Sequence, residues 1–289
     1  MSSPTPRTIE GVDPFIGTEA VASGELTRGQ LRWNYVAVHP NVNLAKDQER
    51  TLLTNAHAAW LWTGRSGIVA GRAAAGLHGV GGIADATPIE LIAGHSRRRR
   101  GIVVRSERID DDEVRRFGSF RMTTAARTAL DLGRRLPRDV AVRHLDELAR
   151  ATGTNYHQVA ELLDRYGGAR GVPRARTALW LMDGGSGSGD ETRLRLILVD
   201  GGLPRPRTGI VVGEGLDTAV IDMGWDDVKV GVSMYDGSRR EGCAAVQHTQ
   251  RQDVVQRSGW IEIQVADLNR PSSIRCRARD ALRRRGLRV

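Results

Sequence analysis

Ala219-Val220-Ile221-Asp222-Met223-Gly224-Trp225, then Asp226-Asp227, then Val228-Lys229-Val230-Gly231-Val232-Ser233-Met234-Tyr235-Asp236-Gly237, is the stretch that decides the fold. Two apolar runs with several valines flank a short acidic turn, which predicts two adjacent strands over 219–223 and 228–235. Asp222 lies near the end of the first run and Asp236 just past the second. Working outward, 209–212 predicts a preceding strand, joined through a turn at 213–217. Upstream, 191–199 predicts a helix with Asp190 as its N-cap and Leu194, Ile197 and Leu198 on one face, stopped by Asp200-Gly201-Gly202. Downstream follow a helix over 247–257, a strand over 261–265 behind Gly259-Trp260, and a basic helix over 272–285. The order is α-β-β-β-α-β-α.

That order matches a restriction-endonuclease core. Its chemistry needs carboxylates on adjacent strands, because Mg²⁺ is a hard ion that takes oxygen ligands and must activate water beside a phosphate. Glu191 and Asp222 occupy suitable places for metal ligands. Further motifs carry the argument beyond element order. Glu191-Thr-Arg-Leu-Arg-Leu, Gly202-Leu203-Pro204-Arg205-Pro206, Ile221-Asp222-Met223-Gly224-Trp225, Tyr235-Asp236-Gly237 and Gly259-Trp260 occur in sequence. This set resembles the PD-(D/E)XK endonuclease-like domain related to very-short-patch-repair (Vsr) endonucleases. Upstream, Phe15-Ile16-Gly17 with Leu26-Thr27-Arg28-Gly29-Gln30-Leu31, and Thr123-Thr124-Ala125-Ala126-Arg127-Thr128-Ala129-Leu130-Asp131-Leu132, are similar to AbiEi-type antitoxin proteins of actinobacteria. Together the two resemblances cover nearly the whole chain.

The departures from the nuclease pattern bear on activity. The resemblance implies a Glu two residues before Asp236, where Met234 stands with Ser233 before it. A Gln-His-Arg is implied after Gly237, where Ser238-Arg239-Arg240 stands. An Asp implied in the next helix falls on His248, while Arg251 is kept. A rearranged catalytic set of Glu191, Asp222, Asp236 and His248, using Mg²⁺ or Mn²⁺, is one alternative. The favoured expectation is a nuclease fold retained without catalysis and with no cofactor.

Elsewhere, 14–48 predicts a winged helix-turn-helix. Its second helix opens on the capping-box pattern Thr27-x-x-Gln30, and strands at 36–38 and 42–44 flank His39-Pro40-Asn41. Such a helix would present Arg28, Gln30 and Arg32 to DNA. An α/β middle domain is expected over 49–182, with helices at 49–62, 68–77, 123–133, 139–149, 156–166 and 174–182. Strands at 88–93 and 101–105 should form a hairpin with Arg97, Arg98, Arg99 and Arg100 at its tip, a phosphate-contacting loop. The Gly/Ser run 183–189 predicts a flexible linker, and a nuclease-like domain follows over 189–289. The fold class is therefore α+β.

The chain has 289 residues and a formal net charge of +9, with only Lys46 and Lys229 as lysines. An excess of cations favours a polyanionic partner, nucleic acid foremost. Cys243 and Cys276 have no zinc spacing, and no apolar run approaches a membrane span, so a cytoplasmic protein is expected. Three functions remain in contention: a DNA-binding protein of antitoxin or transcriptional-regulator type, a metal-dependent endonuclease, and a module that neutralises a toxin protein. The sequence names no oligomeric state.

Overall fold

The structure, a computed structural model, describes residues 13–94, 99–215, 217–235 and 243–289, with the backbone alone for 243–248. Among the described residues there are eleven α-helices and three sheets, an α+β fold. The order begins β1 (Phe15–Ile16), α1 (Gly17–Ala22), α2 (Arg28–Asn34), β2 (Tyr35–His39), β3 (Val42–Ala45) and α3 (Leu52–Trp62). It continues β4 (Ile68–Ala70), α4 (Gly71–Leu77), β5 (Ile89–Ile92), β6 (Ile102–Arg105), β7 (Val114–Phe117) and β8 (Phe120–Thr123). Then come α5 (Ala125–Arg135), α6 (Arg138–Thr152), α7 (Tyr156–Arg165), α8 (Val172–Trp180) and α9 (Gly189–Asp200). The chain closes with β9 (Arg207–Glu214), β10 (Asp217–Trp225), β11 (Val230–Met234), α10 (Cys243–Arg257), β12 (Ile261–Val265) and α11 (Pro271–Arg284). No helix among the described residues is long and apolar enough to cross a membrane.

Two compact units emerge. One holds residues up to Arg135 together with His157–Ala175; the other holds Leu136–Tyr156 and Arg176–Val289. In the first unit, β1, β3 and β2 form a small sheet in that order. The capping box is made: Thr27 Oγ1 accepts the Gln30 N–H at 3.1 Å and Gln30 Oε1 accepts the Thr27 N–H at 2.8 Å. The larger sheet runs β6-β5-β4-β8-β7. Its core joins Leu52, Ala56 and Ala59 of α3 to Val69, Leu91, Phe120 and Met122 of the sheet. Small alanines on α3 and α4 let the helices lie close to the strands.

Two expectations fail in this unit, and one element goes unpredicted. Residues 68–77 are not one helix: 68–70 form a fully buried strand, and Gly71, at φ +58°, turns the chain into α4. A side chain at that φ would be strained, and its Cβ would collide with Glu90. The strands β5 and β6 are not a hairpin; they pair in parallel, Ile89 opposite Ile102. Finally, β7 and β8 form an antiparallel hairpin that the reading of the sequence lacked.

In the second unit the sheet order is β12-β11-β10-β9, antiparallel except that β11 and β12 are parallel with α10 between them in the chain. One core joins Leu194 and Leu198 of α9 and Ile274, Ala278 and Leu282 of α11 to Met223, Trp225, Val230 and Val232. Another joins Val254 and Val255 of α10 to Ile210, Val212, Ala219 and Ile221. Gly231, between Val230 and Val232, faces Ile221 and Trp260 of the second core, so the two cores lie on opposite faces. On β10, Ala219 and Ile221 enter one core while Met223 and Trp225 enter the other. Their two-residue spacing should put all four on one face, so the alternation slips at Asp222.

The segment 183–189 is pinned, not a free linker. Arg195, fully buried on α9, donates to Asp146 Oδ2 of α6 at 2.6 Å, to the Leu181 carbonyl at 2.7 Å and to Ser186 Oγ at 3.3 Å. Asp146 also accepts the Asp183 N–H and the Thr192 hydroxyl, each at 2.7 Å. Arg150 donates to the Ser186 and Gly187 carbonyls. The glycines supply turns, while charged side chains of α6 and α9 take up the backbone groups that a linker would leave to water. This is why α6, expected with the middle domain, packs with the last hundred residues.

Candidate functional site

Strand pairing brings Asp222 beside the end of β11. The Met234 N–H donates to Asp222 Oδ2 at 2.7 Å, and the Asp222 N–H donates to Ser233 Oγ at 3.2 Å. Ser233 is buried, and its hydroxyl donates to Glu262 Oε1 of β12 at 2.5 Å. Arg251 of α10 closes the cluster. Its guanidinium donates to both Glu262 oxygens, at 2.8 and 2.5 Å, and to the Val220 carbonyl at 2.7 Å. Burial pushes the Asp222 carboxyl up to about 6; the Met234 N–H pulls it back and the Glu191 carboxylate adds to the rise. Burial also acts to raise Glu262, but Arg251 and Ser233 outweigh it and hold that carboxyl below its usual range.

Glu262 is the site residue that sequence reasoning missed. The signal was present: in Ile261-Glu262-Ile263-Gln264-Val265 the polar residues alternate with apolar ones. Buried Glu262 therefore needed a cation on its face, and Arg251 supplies it.

Glu191 is close enough to influence Asp222, yet its own oxygens are committed. They accept the Gly187 N–H at 2.6 Å and the Ser188 hydroxyl at 3.1 Å, while Ser188 Oγ accepts the Glu191 N–H. Ser188, not Asp190, is thus the N-cap of α9. Set against a divalent ion, these residues do not fit. Asp222 offers one carboxylate, Met234 offers a soft thioether where a hard ion wants oxygen, and the Ser233 hydroxyl is used by Glu262. Asp236 lies outside the described residues, as do the side chain of His248 and both Arg97 and Arg98.

In the first unit, Arg28 and Arg32 are exposed on α2, but Gln30 is not free to read bases, since its Oε1 is bound to Thr27. Arg99 and Arg100 are exposed, just before β6. Asp110, Asp112 and Glu113 come within 4.8 Å of one another, a spacing that could hold a metal. Arg165 already bonds all three, at 3.5, 2.8 and 2.9 Å. Glu113 further bonds the fully buried Arg127, so this cluster is neutralised by arginine.

No family model matches the chain, and no solved structure matches it. Two curated relatives do: "Uncharacterized protein MT2308" of Mycobacterium tuberculosis (strain CDC 1551 / Oshkosh) and "Uncharacterized protein Rv2248" of Mycobacterium tuberculosis (strain ATCC 25618 / H37Rv). Each is 29% identical over 157 residues, covering 53% of this chain and 58% of the relative, so the chain spans little more than half of their length.

Proposed function

We propose that the protein binds DNA as an antitoxin-type or transcriptional regulator, and that its second unit is a Vsr-like, PD-(D/E)XK-type nuclease fold that no longer cleaves. One observation carries the loss of catalysis. Opposite Asp222, where a second metal-binding carboxylate would stand, β11 presents Ser233 and Met234, while the Glu262 carboxylate is bound to Arg251 and that of Glu191 accepts from Gly187 and Ser188. With its neighbouring carboxylates already bonded, Asp222, whose affinity for its proton is raised, does not by itself hold Mg²⁺ or lower the pKa of a water. The strand order β9-β10-β11-β12 with a parallel last pair supports the fold reading. The DNA reading is supported by the net charge of +9, by α1–α2–β2–β3 in winged-helix order, and by Arg28 and Arg32, exposed and bonded by no carboxylate among the described residues.

The test pairs binding with cleavage. Duplex DNA should be bound at about 50 mM salt, with a salt slope set by roughly 0.9 per phosphate contact. Plasmid and mismatched duplex should stay intact with Mg²⁺ or Mn²⁺. Cleavage that vanishes in Asp222→Ala would overturn the non-catalytic reading and assign a rearranged site to Glu191, Asp222, Asp236 and His248. Absence of any DNA binding would overturn the regulator reading.

A further inference from the structure

Trp33, on the last turn of α2, is 74% exposed, the most exposed large apolar side chain among the described residues. The rest of its helix is cationic. Arg28 and Arg32 stand four residues apart on the same side of α2, both exposed, and no carboxylate among the described residues bonds either one. Lys46 adds a third charge, its Nζ donating to the Trp33 carbonyl at 2.6 Å. Gly29 sits one turn before Trp33 and leaves the helix surface beside the indole bare. Like charges at this helical spacing repel by a few tenths of a kcal/mol, which a phosphate between them would reverse. Seven other arginines of this unit, Arg65, Arg105, Arg108, Arg127, Arg134, Arg135 and Arg165, are by contrast bound to carboxylates.

We infer that α2 takes an unpaired nucleotide of a nucleic acid, with the Trp33 indole stacked on its base and the Arg28–Arg32 side of the same helix, roughly 100° or more around it, on the flanking phosphates. The inference rests on the DNA-binding reading and deepens it. Groove reading by α2 is disfavoured on two grounds. Gln30, which could pair with an adenine edge, is turned back onto Thr27. A flat indole also gains most from a base whose face is free, whereas in a duplex the neighbouring bases already cover it. The charge pattern favours a polyanion over a protein partner, although exposed Trp and Arg also anchor protein interfaces.

The experiment compares a single strand of about 12 nucleotides with its duplex at about 50 mM salt, against wild type, Trp33→Ala, Trp33→Phe and Arg28→Ser/Arg32→Ser. The expected result is tighter binding of the single strand by wild type, about tenfold or greater loss in Trp33→Ala, and near-full retention in Trp33→Phe. The double arginine variant should lower the salt slope on the single strand by about 1.4, while Trp33→Ala leaves that slope unchanged. Because Trp33 is exposed, both tryptophan variants should fold as wild type does. Single-strand binding by Trp33→Ala within twofold of wild type overturns the inference, as does an equal loss on duplex and single strand, or self-association that Trp33→Ala abolishes. Wild type that binds no nucleic acid at all overturns the parent reading as well, and is told apart by needing no variant.

Discussion

Removing Arg195 tests the second unit at its most charged buried point. Arg195 and Asp146 are 0% and 1% exposed, so Arg195→Ala leaves an aspartate in a dry environment with only the Asp183 N–H and the Thr192 hydroxyl as partners. Breaking a buried pair by deleting one member costs about 3–5 kcal/mol. The Leu181 carbonyl and Ser186 hydroxyl also lose their donors, at roughly 1 kcal/mol each, although water entering the cavity recovers part of this. The expected loss is therefore about 4 kcal/mol, a large share of a typical domain's stability. Asp146→Leu with Arg195→Met, which removes both charges, should cost much less. The assay is urea unfolding of the full chain, followed in parallel by digestion with a protease of broad specificity. Wild type should resist cleavage within 183–189 and Arg195→Ala should be cut there. Cleavage of wild type in that segment, with a stability change under about 1 kcal/mol in Arg195→Ala, would refute the pinning and restore the flexible linker.

Further outcomes follow from individual groups. Burial, aided by Arg99 and Arg50, holds the His39 ring at about 4 instead of 6.5, so the unfolded chain takes up the proton first. Stability of the first unit should be intact above pH 6.5 and fall as pH drops toward 4, by up to about 3 kcal/mol, and His39→Phe should flatten that limb of a pH–denaturation curve. Asp222 works with the opposite sign: its folded carboxyl titrates near 6, above its ordinary 3.8, so the protonated form is favoured by folding and stability is lost as pH rises between those values. Asp222→Asn should thus be more stable than wild type at pH 7 by about 1–2 kcal/mol after allowing for partial exposure, with no difference below pH 3.8, as read by urea unfolding. Glu262→Gln should destabilise by about 2–4 kcal/mol, because the half-buried Arg251 guanidinium loses its carboxylate; an unchanged urea midpoint would show the pair to be dispensable.

What could be read from the sequence depended on whether a signal was local. The capping box at Thr27, the strand at 261–265 and the carboxylate at Asp222 all follow from spacing within a few residues. The misreadings arose where a partner far along the chain decides. Ile68-Val69-Ala70 suits helix or strand; only pairing with Met122 and Leu91 makes it a strand. Arg99 and Ile102 look like the return of a hairpin, yet β6 runs parallel to β5 because its apolar positions meet Ile89 and Leu91 in that direction. The glycines at 184–189 suggest freedom, and nothing nearby announces Asp146 or Arg150. Glu262 is the same case at the site, intelligible only once Arg251 is placed against it.

Met234→Glu brings the charge balance of the site to an experiment. The cluster now holds Asp222 and Glu262 against one guanidinium, and Glu191 is turned to its own helix N-terminus. A new carboxylate at 234, on the residue whose N–H binds Asp222, adds an anion with no cation to meet it. It also replaces a side chain packed against the core of Leu194, Met223 and Val232, so the variant in chelator should be less stable than wild type by about 1–3 kcal/mol, with Asp222 driven further toward its protonated form. A divalent ion would relieve this, because two oxygen donors on adjacent strands are what a hard cation needs. Mn²⁺ at about ten times its dissociation constant should return about 1.4 kcal/mol to Met234→Glu and leave wild type unmoved in thermal unfolding. Stabilisation of wild type by Mn²⁺, abolished by Asp222→Ala, would show that the existing residues hold a metal and would overturn the non-catalytic reading. A variant that gains metal-dependent stability and also cleaves DNA would show that the change at 234 alone separates this fold from the chemistry it resembles.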